Sequence, residues 1–417
     1  MMRWSTLLLS APLVLALNVA GALPDDAIAL NEKASKALAE GRPAEAVLLL
    51  ESARRQMPHD EVLKGNLAWA YFQRGQNRQA AFDDTGALSD FRLATETYPS
   101  EPGYALHLTN LALQQYRLAE ALSAVDEALE LHPEHAQLHL LRGDVLNLLD
   151  ELDGSVEAYE RAVKLGEGDI RAAAQEAHAR AARQANVERD YASHASDTFL
   201  IRHPQGTDFL DLLTGLDRAR VEVCQALDAW PASRALVVLY PPDAFRAVTG
   251  THDWVGGLFD RKIRLPIGDT QSDAGQVEAA FRHEFAHLLV SERNPRCPTF
   301  LNEGLAQWVE FGRGQGLERL VDHLRAVGMS TDELPRIEEL PTSFVSVADR
   351  GQVMLSYLLS YAFVDYLVEH QGSGAPLRWV RELRRAPIAD AYAAATRRSF
   401  ERDEEQFRES VRVALGH

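Results

Sequence analysis

The chain has 417 residues, enough for two domains of ordinary size, and 46% of them are hydrophobic, enough to build cores. Asp and Glu outnumber Lys and Arg by 61 to 43, a formal charge of −18, which argues against nucleic acid and anionic membrane surfaces as general partners. Both signs are spread along the chain, so the excess describes a solvated surface and not an acidic tail.

Arg3, an apolar stretch from Leu7 to Leu17, and Ala20-Gly21-Ala22 form the layout of a secretory signal peptide over residues 1–22. The apolar core is short and holds Pro12, against a retained anchor, and no cysteine follows it, against a lipoprotein. The mature protein is therefore expected outside the cytoplasm, periplasmic or secreted, without stable membrane insertion.

Residues 23–186 read as helical repeats. Pro58, Pro99 and Pro133 end successive helix pairs at spacings of 41 and 34 residues. Ala46, Leu50 and Ala53 then correspond to Ala87, Phe91 and Ala94, and to Ala121, Val125 and Ala128. A fourth unit supplies Gly143, Ser155, Tyr159 and Ala162. The 34-residue period, with small residues where helices touch, resembles the tetratricopeptide repeat, with about seven residues inserted in the second unit around Gln79 to Gly86. That resemblance implies a groove for peptides or a protein partner; the plain alternative is a generic helical spacer. A helix from Asp169 to Ala185 is expected to cap the stack.

Farther on, Ala235 to Tyr240 reads as a strand, Phe245 to Gly250 as a turn, and Trp254–Asp260 with Lys262–Pro266 as a hairpin-like pair. A helix follows around Gln276 to Val290, with apolar residues at Val277, Ala280, Phe281, Phe285, Leu288 and Leu289 and with Ser272 or Asp273 as its cap. It carries His283-Glu284-Phe285-Ala286-His287. Positions i and i+4 share a helix face, so both imidazoles can aim at one ion, and Glu284 falls beside it as a base for an activated water.

A catalytic zinc needs a third protein ligand and an open position. Pro295, Cys297 and Pro298 break the helix, Thr299 can cap another, and Phe300 to Phe311 is apolar enough to pack back, bringing Glu303 over the histidine pair. Two helices joined in this way, with Glu303 between Leu301 and Leu305, carry the reading; a surface carboxylate early in a helix is the bland one.

These residues resemble the peptidase MA-like, or gluzincin, domain, over 187–417. His-Glu-x-x-His matches the first ligand pair of that family. Phe300-Leu301-Asn302-Glu303-Gly304-Leu305-Ala306 matches its Trp-Leu-x-Glu-Gly-x-Ala segment, with Phe for Trp. The resemblance implies one zinc on His283, His287 and Glu303, and the hairpin as an edge strand above the metal, where Gly256 and Gly257 would let a peptide approach. Aminopeptidase relatives carry a Glu near that strand; Phe259-Asp260 stands here. The family also has Tyr followed three residues later by Ser on a later helix, within Gln352 to Val368, and Tyr357 and Ser360 match. Tyr357 becomes the candidate donor to an oxyanion, with Tyr361 its rival.

Helices are further expected at Leu377–Arg385 and Phe400–Leu415, the run Glu401 to Glu405 being the wet face of the last. Cys224 and Cys297 are expected to pair as a disulfide in an exported protein, with two buried thiols as the alternative. The fold class that follows is multidomain: an all-α repeat domain and then an α+β zincin domain. The function that follows is an exported zinc metallopeptidase acting on peptide or protein substrates. The alternative is a repeat-based interaction scaffold whose metal domain is not catalytic, and hydrolysis of peptidoglycan amides is a weaker possibility.

Overall fold

The computed structural model describes residues 25–207, 210–232, 234–250, 256–268, 274–344 and 349–416. The signal-peptide segment, the proposed caps Ser272 and Asp273, and Trp254 lie outside the described residues. The chain divides into two compact units between Ala182 and Arg183.

The first unit is all helical. Its helices are α1 (Asp25–Ala39), α2 (Pro43–Gln56), α3 (Glu61–Ala80), α4 (Asp84–Thr97), α5 (Pro102–Gln114), α6 (Leu118–Leu131), α7 (Ala136–Leu148) and α8 (Leu152–Leu165). They pack as consecutive hairpins, and α9 (Gly168–Glu188) follows. The turns start from sequence chemistry. Pro43 and Pro102 open helices where no backbone donor is needed, and the Asp60 carboxylate accepts from the Leu63 amide at 2.8 Å, a cap worth about 1 kcal/mol. The repeat positions face inward as their spacing demands: Ala46, Leu50, Ala53, Ala87, Phe91, Ala94, Ala121 and Val125 are at most 1% exposed. Gly75 lies against the Phe91 ring and Gly143 against the Tyr159 ring, the same helix-to-helix contact in two units.

One expectation is corrected. The extra residues of the second unit are not centred on Gln79 to Gly86 but lengthen the helix before them. The turn between α3 and α4 is as short as its counterparts, and α3 itself has 20 residues where α5 and α7 have 13. The second helix of every pair keeps 14. Gly86 belongs to α4, whose entry is fixed by Asp83 accepting from the Gly86 amide.

In the second unit a five-stranded mixed sheet is ordered β1-β2-β3-β5-β4, from β1 (Ala192–Ala195), β2 (Phe199–His203), β3 (Ala235–Tyr240), β4 (Leu258–Phe259) and β5 (Ile263–Pro266). Strands β2, β3 and β5 run parallel, while β1 and β4 are antiparallel edges. A parallel step needs a crossover, and α10 (Leu210–Leu227) supplies it between β2 and β3. After β3 comes α11 (Pro242–Thr249), so Phe245 to Gly250 is helix with Gly250 as its left-handed cap, not a plain turn. The alternation on β3 and β5 sends Val237, Leu239, Ile263 and Leu265 into the main core. Val238 and Tyr240 face a smaller cluster with Phe245 and Val248.

The rest is helical: α12 (Ala274–Arg293), α13 (Thr299–Phe311), α14 (Gly316–Val327), α15 (Arg350–Gln371), α16 (Ala375–Glu382), α17 (Ile388–Thr396) and α18 (Phe400–Leu415). Phe281 and Phe285 stack at 5.3 Å inside the core, each contributing about 1.5–3 kcal/mol by burial. Thr299 does not cap α13; Pro298 holds that position, and the Thr299 hydroxyl donates to the Thr342 carbonyl at 2.6 Å. No helix among the described residues is long and apolar enough to cross a membrane.

Two further expectations fail for stated reasons. Glu401 to Glu405 is not a wholly wet face: Asp403 and Glu404 are each 2% exposed. Asp403 accepts from Tyr392 and Arg398, and Glu404 from the Ile337 amide, so both carboxylates are internal ties of the C-terminal helices. Cys224 and Cys297 are both free thiols. Each packs into apolar surroundings of the main core, and burial pushes the Cys224 thiol up to about 11.

Candidate metal centre

The centre is built from two helices and the crossing of a third. On α12 the four-residue spacing places the rings of His283 and His287 with centroids 4.8 Å apart and nearly perpendicular. The turn 294–298 reverses the chain, Asn294 holding it by donating to the Val380 carbonyl at 3.2 Å. Helix α13 then returns against α12 and presents Glu303. Its approach to α15 requires Gly304, because a Cβ there would lie 2.5 Å from the Ser360 carbonyl oxygen. The glycine beside the carboxylate is what lets α13 sit deep enough.

The result is a convergent donor set. Nε2 of His283 and Nε2 of His287 each lie 3.5 Å from the same oxygen, Oε2 of Glu303. Among the described residues this trio is the one group of three such side chains whose ligand atoms all fall within 4.8 Å of one another. A tetrahedral ion bound at about 2.0–2.1 Å separates its ligand atoms by roughly 3.3–3.5 Å, so the two histidine-to-Glu303 separations match zinc, with the whole set within 4.8 Å. Two imidazoles and a carboxylate also suit it chemically.

Electrostatics point the same way. Burial opposes charge on His283, but hydrogen bonds to Glu303 and Glu310 outweigh it and hold its pKa well above the ordinary value. His287 is also raised, by Glu303 against burial. Burial pushes Glu303 up, yet the two histidines overcome that and keep it ionised far below the usual carboxylate range. Glu284 is raised, chiefly by burial, with the histidines pulling against it. A pocket of three carboxyl groups around two imidazoles demands positive charge.

Neighbours of the trio divide into positioning and shaping roles. Nδ1 of His283 pairs with Oε2 of Glu310 at 2.9 Å, so this carboxylate is the one that orients the ring. Nδ1 of His287 is buried without a hydrogen-bond partner among the described residues. The backbone at Gly257 crosses directly over Glu284: an added Cβ would stand 2.8 Å from its Cγ and 3.0 Å from its Oε1. The only signal of this in the sequence is Gly256-Gly257 before Leu258. Strand β4 is the sheet edge, as the hairpin reading expects. Asp260 is occupied elsewhere, accepting from Nε of the buried Arg264 at 3.0 Å.

The two tyrosines separate cleanly. Tyr361 is fully buried and donates to the Gly312 carbonyl at 2.7 Å, holding the end of α13. Tyr357 packs edge-on to Phe344, and its pKa is raised by burial and then by the Glu303 and Glu284 carboxylates, so it lies within electrostatic range of them. Ser360 donates to the Ser356 carbonyl within its own helix. Glu284 and the three donors are gathered at one place with Tyr357 within electrostatic range, whereas Tyr361 and Ser360 serve the helices.

Comparisons with known proteins concern the first unit. Family models described as tetratricopeptide repeat match residues 37–82 and 108–170. MamA (41-end) from Desulfovibrio magneticus RS-1 is 20% identical, over 40% of this chain and 94% of its own, with a TM-score of 0.28. A thermophilic TPR protein of Thermus thermophilus is 24% identical over 38% of this chain and 87% of its own, with a TM-score of 0.24. A comparison with curated proteins gave no match. The N-terminal region is a tetratricopeptide-type repeat array, a class that mediates protein–protein interaction.

Proposed function

We propose that the second unit is a zinc-dependent peptidase of gluzincin type, hydrolysing peptide bonds in protein substrates that the repeats help to recruit. The observation that carries this reading is the pair of 3.5 Å separations from both Nε2 atoms to one Glu303 oxygen, with Glu284 beside them on the same helix. His283, His287 and Glu303 would hold a zinc ion, which would supply a Lewis acid and an acidified water there. Glu284, raised by burial, would serve as the base that takes a proton from water and hands it to the leaving amine. Tyr357 donates a hydrogen bond to the developing oxyanion. Glu310 keeps the His283 ring turned so that Nε2 faces the donor set. Asp260, tied to Arg264, leaves no free carboxylate at that position for a substrate amino terminus, which favours endopeptidase action.

The layout of residues 1–22 supports export, with action in the periplasm or outside the cell. The test is zinc content of the purified mature chain beside a folded His283→Ala control, followed by Glu284→Gln. One zinc per chain, lost in the first variant and kept without hydrolysis in the second, is the expected result. A folded chain that stays empty when zinc is supplied would leave the second reading, a scaffold working through its repeats, which the repeat-family matches favour.

A further inference from the structure

The second unit carries an exposed tryptophan among arginines, on a molecule that is otherwise acidic. Trp230, in the turn between α10 and β3, is 53% exposed. The guanidinium of Arg220 lies over its ring at 5.4 Å. The turn is fixed on both sides: Arg293 donates to the Trp230 carbonyl at 3.3 Å, and the Glu292 carboxylate accepts from the Ala232 amide at 3.0 Å. A side chain presented on so braced a turn loses little freedom when it is covered.

Positive charge accumulates beside it. Asn294 donates to the Val380 carbonyl at 3.2 Å, which brings the chain at Arg293 beside the chain at Arg381, and the Arg381 charge helps burial to lower the Arg293 pKa against Glu292. From 375 to 398 the chain has six arginines against two acids, Glu382 and Asp390. Arg381 and Arg384, three residues apart and both exposed, have no carboxylate within ion-pair distance among the described residues. Arg220 and Arg293 at the tryptophan are paired with Asp217 and Glu292, while Arg381 and Arg384 farther along the same face are not; arginines around a rigid exposed tryptophan are the composition of an interface centre rather than of a solvated face.

We propose that this surface docks the acidic repeat unit of a second copy of the chain. Between residues 25 and 182 there are 27 acidic and 15 basic residues, so the repeats hold twelve of the excess negative charges. Complementary charge sets the encounter and the register, and Trp230 supplies the desolvated contact. Because the two patches differ, the contact is head to tail, and it builds short chains or closed rings rather than a self-matching dimer. This inference is independent of the peptidase reading.

Sedimentation of the full mature chain tests it, over a concentration series at low and at high salt. The expected result is a mass that rises with concentration at low salt and returns to the monomer at high salt. Trp230→Ala, and separately Arg381→Glu with Arg384→Glu, should each weaken association at least about tenfold. Circular dichroism and thermal melting would confirm that these variants are folded. A photo-reactive benzoylphenylalanine at position 230 should crosslink to residues 25–182 of another copy. A monomer under all conditions overturns the proposal, as does a crosslink confined to 183–417. Wild-type chain that stays monomeric yet sediments with phosphatidylglycerol vesicles through the same residues also overturns it, in favour of a lipid surface.

Discussion

Nδ1 of His283 is held by Glu310 at 2.9 Å, while the same atom of His287 is buried with no hydrogen-bond partner among the described residues. The two candidate ligands are therefore not equivalent: one ring has its orientation fixed from outside the donor set and the other does not. Glu310→Gln should lower zinc affinity by about 10–100-fold while the chain stays folded. Competition against a chromogenic chelator measures this, and an unchanged affinity would mean that Glu310 is an ordinary surface acid.

Tyr357 and Tyr361 make a paired prediction. Tyr357→Phe should keep zinc and reduce turnover about 10²–10³-fold, the cost of losing one oxyanion donor. Tyr361→Phe should instead lower the melting temperature, because it removes the tie to the Gly312 carbonyl, and leave turnover of the folded protein near wild type. The reverse pattern would exchange the two roles.

Gly257→Ala places a methyl carbon against the Glu284 side chain. The donor trio is untouched, so zinc should bind as before. Hydrolysis should drop because Glu284 is displaced. Equal rates in the two proteins would show that the backbone above Glu284 yields readily.

Asp144 offers a pH test in the repeats. It is buried, accepts from the Tyr159 hydroxyl at 2.8 Å, and burial raises its pKa from an ordinary 3.8 to about 7. The folded state therefore holds this proton more tightly than the unfolded chain. Its stabilising contribution is complete below the ordinary value and is lost as pH rises through about 7. Asp144→Asn should flatten that part of the stability profile in urea unfolding followed from acid to alkaline pH; a profile identical to wild type would place the ionisation elsewhere.

Much of this architecture is written in short-range pattern. The repeat positions are legible because small and large apolar residues recur at a fixed period, and each recurrence is buried. His283, Glu284 and His287 are legible because one helix fixes their spacing. Glu303 needs a turn and a returning helix, both signalled by prolines and apolar content. What escapes is tertiary. Nothing local distinguishes Asp403 and Glu404 from solvated acids; only Tyr392, Arg398 and the Ile337 amide, brought from elsewhere, make their burial tolerable. Strands β1 and β2 are four and five residues long, and β1 is too polar to announce itself. The extra residues of the second repeat are countable from the prolines, but their place inside α3 depends on where the turn closes.

The lengthening of α3 has a consequence for how this array can be edited. Seven residues make close to two full turns, a rotation only about 20° short of returning to the starting azimuth. The insertion therefore moves one end of α3 along its axis by about 10 Å and leaves the angular phase of its contact stripe almost unchanged. Deletion of any heptad from the N-terminal half of α3 should keep Gly75 pointed at Phe91. Deletion of five residues would swing the contact stripe by about 140° into solvent and uncouple the second repeat from its neighbours.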